Sequence, residues 1–255
     1  MQTITGELSP NLYLILSAVA FAAGFISSIA GAGGMLTLPA LLWAGIPPLD
    51  ALGTNKFQSV FGTLSSTLNF FQKGHLNLRP LWPGILASAA GSALGVWAVT
   101  RLGGDQLRTL LPILLIALSL YFAFSPRISD RDGTPRMGNG WFNLLVGGGI
   151  GFYGGFFGPG MGSLYALAFA ALLGYNMRRA TAHTKPLVLA TNATAMVIFM
   201  LGGHLLWGLA LCMSAAQFVG ARLGSSLVIA RGAGLVKPVI IVVTVAMAIR
   251  LLLEA

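Results

Sequence analysis

Two lysines, Lys56 and Lys185, stand in surroundings so apolar that a charge there needs a reason. They occur in Thr54-Asn55-Lys56 and His183-Thr184-Lys185, 129 positions apart, each following a glycine cluster and each expected to begin a helix. A lysine offers a positive charge and three donors, and inside a membrane such a group commonly marks a functional site. The chemistry it points to is binding of an anion, with Thr54, Asn55 and Thr184 adding hydrogen bonds. The plain alternative is a side chain that snorkels to lipid phosphate. Pro186 and Arg178-Arg179 nearby favour that alternative for Lys185, whereas the pairing of the two motifs favours binding. The clusters themselves are Gly31-Ala32-Gly33-Gly34 and Gly158-Pro159-Gly160-Met161-Gly162. A helix that restarts after such a break presents free N–H groups and a partial positive charge. Two restarts, around Gly33-Gly34 and Gly160-Met161, would make an anion site. Small residues also serve close helix packing, but two clusters at matched positions favour the site.

Arg222 joins the candidates because it lies within an apolar stretch, with Ala93 at the matching place in the first half. Its partners would be helix-end carbonyls or a bound anion, although Arg231 lies close enough for snorkelling. Gln58, Thr63, Ser65, Asn69, Thr191 and Asn192 could line a polar path, but interhelical hydrogen bonding explains most of them better. His75 and His204 sit at turns and read as interfacial. The six acids are Glu7, Asp50, Asp105, Asp130, Asp132 and Glu254, all in loops or tails. There is accordingly no intramembrane carboxylate pair for metal, cation or acid–base work. No nucleotide-binding Gly-Lys-Ser/Thr loop, nucleophile elbow or metal-ligand spacing occurs, so no enzyme chemistry, metal or cofactor is expected. The single cysteine, Cys212, excludes an internal disulfide.

The elements that must position these residues are membrane helices. Of 255 residues, 56% are hydrophobic and 8% charged, with a mean hydropathy of +0.82. An average soluble domain is about 25% charged, so an ordinary globular enzyme, a disordered chain and a DNA-binding domain are excluded. The net charge of +9 fits the cytoplasmic loops of a membrane protein better than nucleic acid. The N-terminal segment lacks the basic region of a cleavable signal, so the first apolar stretch is expected to be retained.

Eight apolar stretches run over 12–43, 52–71, 81–99, 107–124, 141–173, 180–201, 205–229 and 235–253. A span needs about 20 residues; 12–43 and 141–173 are too long for one, and each is split by its glycine cluster. If each doubles back, both halves hold five elements, giving 8–10 membrane segments. With the N-terminus outside, 10 of the 15 basic residues then fall in cytoplasmic loops, Lys185 among them and Lys56 not. The halves, 1–124 and 141–255, flank a central basic cytoplasmic loop, 125–140. They match at offset 127 (Gly24-Phe25 with Gly151-Phe152, Gly31 with Gly158) and then at offset 129. Matches at 129 include Ala51 with Ala180, Lys56 with Lys185, Gly74-His75-Leu76 with Gly203-His204-Leu205, and Gly91 with Gly220. An odd number of elements per repeat inverts the second copy, a common transporter plan. The expected fold is an all-α polytopic membrane protein of two inverted repeats.

The run Gly24-Phe25-Ile26-Ser27-Ser28-Ile29-Ala30-Gly31-Ala32-Gly33-Gly34 with Pro39, followed by Ala51-Leu52-Gly53-Thr54-Asn55-Lys56, resembles the sulfite exporter TauE/SafE family, also called the 4-toluene sulfonate uptake permease family. The resemblance covers nearly the whole chain, although the second copy carries Pro159-Gly160-Met161-Gly162 in place of the first pattern. It implies a multi-pass transporter of the bacterial inner membrane. The implied cargo is a sulfonate, sulfoacetate, sulfite or thiosulfate; the sulfur comes from the resemblance alone. Charge equally suits a carboxylate, and an anion channel is the rival to a carrier working by alternating access. The expected partners are a small anion and membrane lipid, with no nucleic acid. A coupling proton or ion and a homodimer stay open, His183 being the best intramembrane proton candidate.

Overall fold

The structure, a computed structural model, describes residues 9–123 and 132–231. The last apolar stretch, 235–253, and most of the basic part of the central loop lie outside the described residues, as do Lys237 and Arg250.

Local signals set the helix ends. In α1, Pro10–Ala30, Ser9 caps the start and accepts a hydrogen bond from the Leu12 N–H at 3.4 Å. Pro10 occupies the first turn, where its missing N–H costs nothing. The helix stops at Gly31, whose φ of +77° is left-handed and whose N–H returns to the Ser27 carbonyl. After the break come α2, Gly34–Trp43, then α3, Pro48–Gln72. A short 3-10 turn, Arg79–Leu81, leads into α4, Trp82–Thr100, and α5, Gly104–Ala123.

The second half opens with α6, Asn139–Trp141, continues as a π-helical segment, Phe142–Gly147, and ends as α7, Gly148–Phe156. The second break follows. Then come α8, Met161–Leu173, α9, Met177–Leu201 with Asn176 as its cap, and α10, Trp207–Arg231. No strand occurs among the described residues.

Both overlong stretches are therefore two helices around a tip. Among the described residues, four helical segments are long and apolar enough to cross a membrane: Pro10–Ala30, Arg79–Thr100, Met177–Leu201 and Trp207–Ala230. At 1.5 Å per residue, α2 and α8 (10 and 13 residues) span about 15–20 Å, short of the ~30 Å hydrocarbon core. These two return segments thus do not cross fully. The five tryptophans, Trp43, Trp82, Trp97, Trp141 and Trp207, are all exposed near helix ends, as in an interfacial belt.

Packing alternates between the halves. Helix α1 lies along α10 and α7 along α4, while α3 and α9 pack on each other at the centre. Glycine makes the close crossings. A Cβ on Gly220 or Gly224 of α10 would strike the carbonyl oxygens of Phe21 or Phe25 in α1. One on Gly91 or Gly95 of α4 would strike those of Gly148 or Phe152. Gly91 and Gly220, matched in sequence, thus hold corresponding crossings. Gly91→Val and Gly220→Val should each cost about 1–3 kcal/mol by overpacking. Thermal unfolding in detergent would show this, with Gly103→Ala as the control, because a Cβ there meets nothing. A Gly91→Val protein as stable as Gly103→Ala would refute the close crossing.

The bundle ends differ in charge. One end carries Lys73, Arg79, Arg136, Arg178 and Arg179 against Asp132; loop 132–138 is tied there to α8 through Gly133 N–H to Gly174 O at 2.7 Å. The other end carries Arg101 and Arg108 against Asp50 and Asp105. The first end is the more basic of the two, the character that the positive-inside rule associates with cytoplasmic faces.

Candidate functional site

The two broken tips meet in the middle of the molecule. Gly31 packs against the backbone of Gly162 and Ser163, and Gly34 packs against Pro159. The Ser163 hydroxyl donates to the Ala30 carbonyl at the end of α1, and the Tyr153 hydroxyl donates to the Pro159 carbonyl. The second break uses Gly158 (φ +102°) and Gly160 (φ +74°), so both clusters need glycine for backbone shape.

Each lysine reaches the tip of the opposite half. Lys56 Nζ donates to the Gly154 carbonyl in the last turn of α7. Lys185 Nζ donates to the Ser27 carbonyl in the last turn of α1, at 2.8 Å. Ser27 and Gly154 are themselves matched at offset 127, so the two ties are reciprocal. A helix C-terminus carries partial negative charge; each lysine places its ammonium at one such end, Lys185 sharing the Ser27 carbonyl with the Gly31 N–H. Both lysines are buried, and both sit eight residues inside their helices. This corrects two expectations: neither begins a helix, and Lys185 belongs to no cytoplasmic loop. The helices start earlier because Pro47 and Asn176 cap them.

Between the tips lies a cavity of ≈ 20 Å³, lined from both halves. That is room for about one water. Asn55 and Lys56 line it, followed at helical spacing by Ser59 and Thr63. From the other half come Met161, Val188 and Asn192; Ser27 and Gly34 close it at the tip. The Asn55 side-chain oxygen is occupied, accepting from the Thr37 hydroxyl at 2.5 Å and from Gln58 Nε2 at 3.1 Å. Its amide NH2 is left to donate. Gly34 at the start of α2 and Met161 and Gly162 at the start of α8 line the same space, although the Met35, Leu36 and Met161 N–H groups are already taken by the Ala32, Gly33 and Gly158 carbonyls. The described acids, Asp50, Asp105 and Asp132, lie at helix ends and loops remote from it. A lining rich in donors without a carboxylate is suited to an oxyanion. Among the described residues no cluster could hold a metal.

The remaining expected residues fall elsewhere. Gly33 packs back on Ala23 and Ser27 of α1, and Gly160 caps α8; neither lines the cavity. Thr54 accepts from the Leu206 N–H at 3.3 Å, near the end where His204 Nδ1 pairs with Asp50 at 3.0 Å. Thr184 donates to the Thr181 carbonyl of its own helix. His183 lies in a separate cavity at the basic end. Arg222 is not brought to the centre: it is exposed on α10 and donates to the Gln72 side chain at 3.0 Å. Lipid-facing exposure lets its long side chain reach a helix end instead.

Sequence reasoning passed over Ser27, Ser59 and Val188, and assigned Thr63 and Asn192 to packing. Their signal was the spacing behind each lysine: Ser59 and Val188 follow at three residues, Thr63 and Asn192 at seven. The packing assignment holds for Ser65, which donates to the Phe218 carbonyl, and for Asn69, which donates to Ser225 and Ser226.

Comparison with known proteins converges on transport. The family model described as "Sulfite exporter TauE/SafE" matches residues 16–251. A Sinorhizobium sp protein named "Probable membrane transporter protein ORF9" is 47% identical over 97% of this chain and 95% of its own length. "Probable membrane transporter protein YfcA" of Escherichia coli strain K12 is 43% identical, over 97% and 92%. A "Probable membrane transporter protein" of Haemophilus influenzae is 40% identical, over 97% of both chains. No solved structure matches the chain.

Proposed function

The chain belongs to the sulfite exporter TauE/SafE family of multi-pass inner-membrane transporters, and from that premise we propose that it carries a small sulfur-containing oxyanion by alternating access. The class comprises sulfonate, sulfoacetate, sulfite and thiosulfate. The observation that carries this reading is the cavity between the tips, where Lys56 and Asn55 meet Asn192 with no carboxylate near. The two halves are an inverted repeat, which accounts for the reciprocal lysine ties and the exchanged pairing of α1 with α10 and α7 with α4. Transport rocks one half against the other.

The small volume favours a carrier over a channel. An oxyanion needs more than the ≈ 20 Å³ between the tips, so it enters only when they part. The lining is also unequal. Ser59 and Gly34 of the first half correspond to Val188 and Met161 in the second, so the second half brings two apolar side chains to the cavity beside Asn192. That favours an anion with an oxygen-bearing head and a small apolar part.

The test is a thermal-shift panel on the purified protein with sulfite, sulfoacetate, taurine, thiosulfate, sulfate and acetate, followed by counterflow in proteoliposomes. A ligand present at about 100 times its Kd stabilises the folded state by roughly 2.7 kcal/mol. Selective stabilisation by one sulfur anion, with saturable counterflow of the same anion, is the expected result. Stabilisation by acetate alone would keep the anion site and discard the sulfur. Non-saturating flux without counterflow would make the protein a channel.

A further inference from the structure

The basic end of the bundle holds a second cavity, of ≈ 410 Å³, lined by His75, Asn77, Asn176, Arg178, Arg179 and His183. It forms where the turn after α3 meets the start of α9. Comparison with the opposite end shows what is unusual about it. There, Asp50 and His204 make a pair at 3.0 Å. At offset 129, Asp50 corresponds to Arg179 and His204 to His75. The opposite end thus fills these two positions with an acid and a base, one from each half. This end fills them with Arg179 and His75, with no acid at either position, around an open space.

The polar groups are arranged as donors. Asn176 accepts from the Arg179 N–H at 3.0 Å and Asn77 from the Arg79 N–H at 3.1 Å, so each keeps its amide NH2 for the cavity. The Arg179 guanidinium is held over the Tyr175 ring at 3.8 Å, which fixes it while leaving its edge free. His183 is 6% exposed and donates its Nδ1–H to the Arg179 carbonyl at 2.8 Å, which leaves Nε2 of the neutral ring an acceptor, so the donors of this cavity are the two amides and the arginines. The nearest described acid, Asp132, is occupied by the Asn176 N–H at 2.8 Å. From His183, α9 runs nine residues to Asn192, roughly 14 Å to the central cavity.

We infer that this cavity is a loading vestibule, a second site that collects a small oxyanion at the cytoplasmic face before it reaches the tips. The inference rests on the anion-transport reading. Its ligand chemistry is that of a free sulfate-like anion, which an anionic lipid headgroup shares, so the test separates the two.

Purified protein in detergent is treated with phenylglyoxal in sulfate, methanesulfonate or chloride at matched ionic strength. Modification of Arg178 and Arg179 is read by peptide mass spectrometry, with Arg101 and Arg136 as references. Sulfate and methanesulfonate are expected to slow modification of Arg178 and Arg179 at least severalfold, in wild type and equally in Lys56→Met. Equal protection by chloride, protection only by phosphatidylglycerol, or loss of protection in Lys56→Met would each overturn the vestibule. Arg179→Asp writes the opposite end's acid–base pair into this end. It is expected to abolish protection at Arg178 and to raise KM at least tenfold for anion supplied from this side, with the maximal rate retained. An unchanged KM would refute loading. Protection in a protein that shows no saturable transport of any anion would instead sink the transport reading and leave the binding site standing.

Discussion

Lys56→Met is expected to reduce saturable anion flux in proteoliposomes by about 30-fold to several thousandfold. Truncating one member of a buried, hydrogen-bonded charge pair costs about 2–5 kcal/mol, and 1.36 kcal/mol is about tenfold. Methionine keeps most of the volume, so the effect isolates the charge. Lys56 is buried, faces the cavity and ties α3 to the end of α7, so its loss removes both the proposed anion contact and a link between the halves. Lys185→Met is expected to act through the second of these, because Lys185 holds Ser27 and does not itself line the cavity. Arginine should not rescue position 56. Its planar fork is wider than an ammonium, and Gly158 already lies against Lys56 Nζ. Near-normal flux in Lys56→Met, with a monodisperse protein, would remove the lysine from the mechanism.

Gly31→Ala should be nearly as damaging without touching any charge. At φ +77° an alanine carries about 1–2 kcal/mol of backbone strain. Its Cβ would also overlap the backbone of Gly162 and Ser163, which no side-chain rotation relieves. The tips can no longer close on each other, so flux should fall to background. Gly158→Ala adds the φ +102° strain and drives its Cβ into Lys56 Nζ, so it should reproduce the Lys56→Met defect with the lysine still present. Gly45→Ala is the control. It has the same sign of φ, at +78°, but open space around it, so it should lose some stability and keep transport. If Gly45→Ala and Gly31→Ala fail equally, strain alone explains both and the meeting of the tips has no special role.

These positions were legible in the sequence for a simple reason. Lysine is rare in this chain, and a glycine cluster inside an overlong apolar run is costly unless the backbone breaks there. Scarce residue types align without ambiguity, so the breaks, the paired lysines and the five-element plan of the first half could be read directly. Direction in space could not. Periodicity says that Lys56 lies on α3, but that it reaches Gly154 depends on how α3 crosses α7, which is long-range packing. Arg222 misled for the same cause. In an evenly apolar helix, no pattern separates the face toward α1 from the face toward lipid, and only Gly220 and Gly224 mark the former. The vestibule joins the turn at 74–77 to residues 176–183, and nothing local announces that meeting.

The pairing of α1 with α10 sets an order of assembly. The ribosome finishes α1 at Ala30 and must add 176 more residues before Trp207 begins its partner. At about 5–20 residues per second, that is roughly 10–35 s of synthesis. For that interval the newly inserted α1 lacks its final neighbour. The Ala30 carbonyl at its tip also lacks the Ser163 donor that later satisfies it, while the Ser27 carbonyl has the Gly31 N–H but not yet Lys185. Unsatisfied backbone is costly in hydrocarbon, so the nascent tip must stay near water or the insertion machinery until the second half is made. The tip of α1 is therefore completed only when the second half arrives to close it.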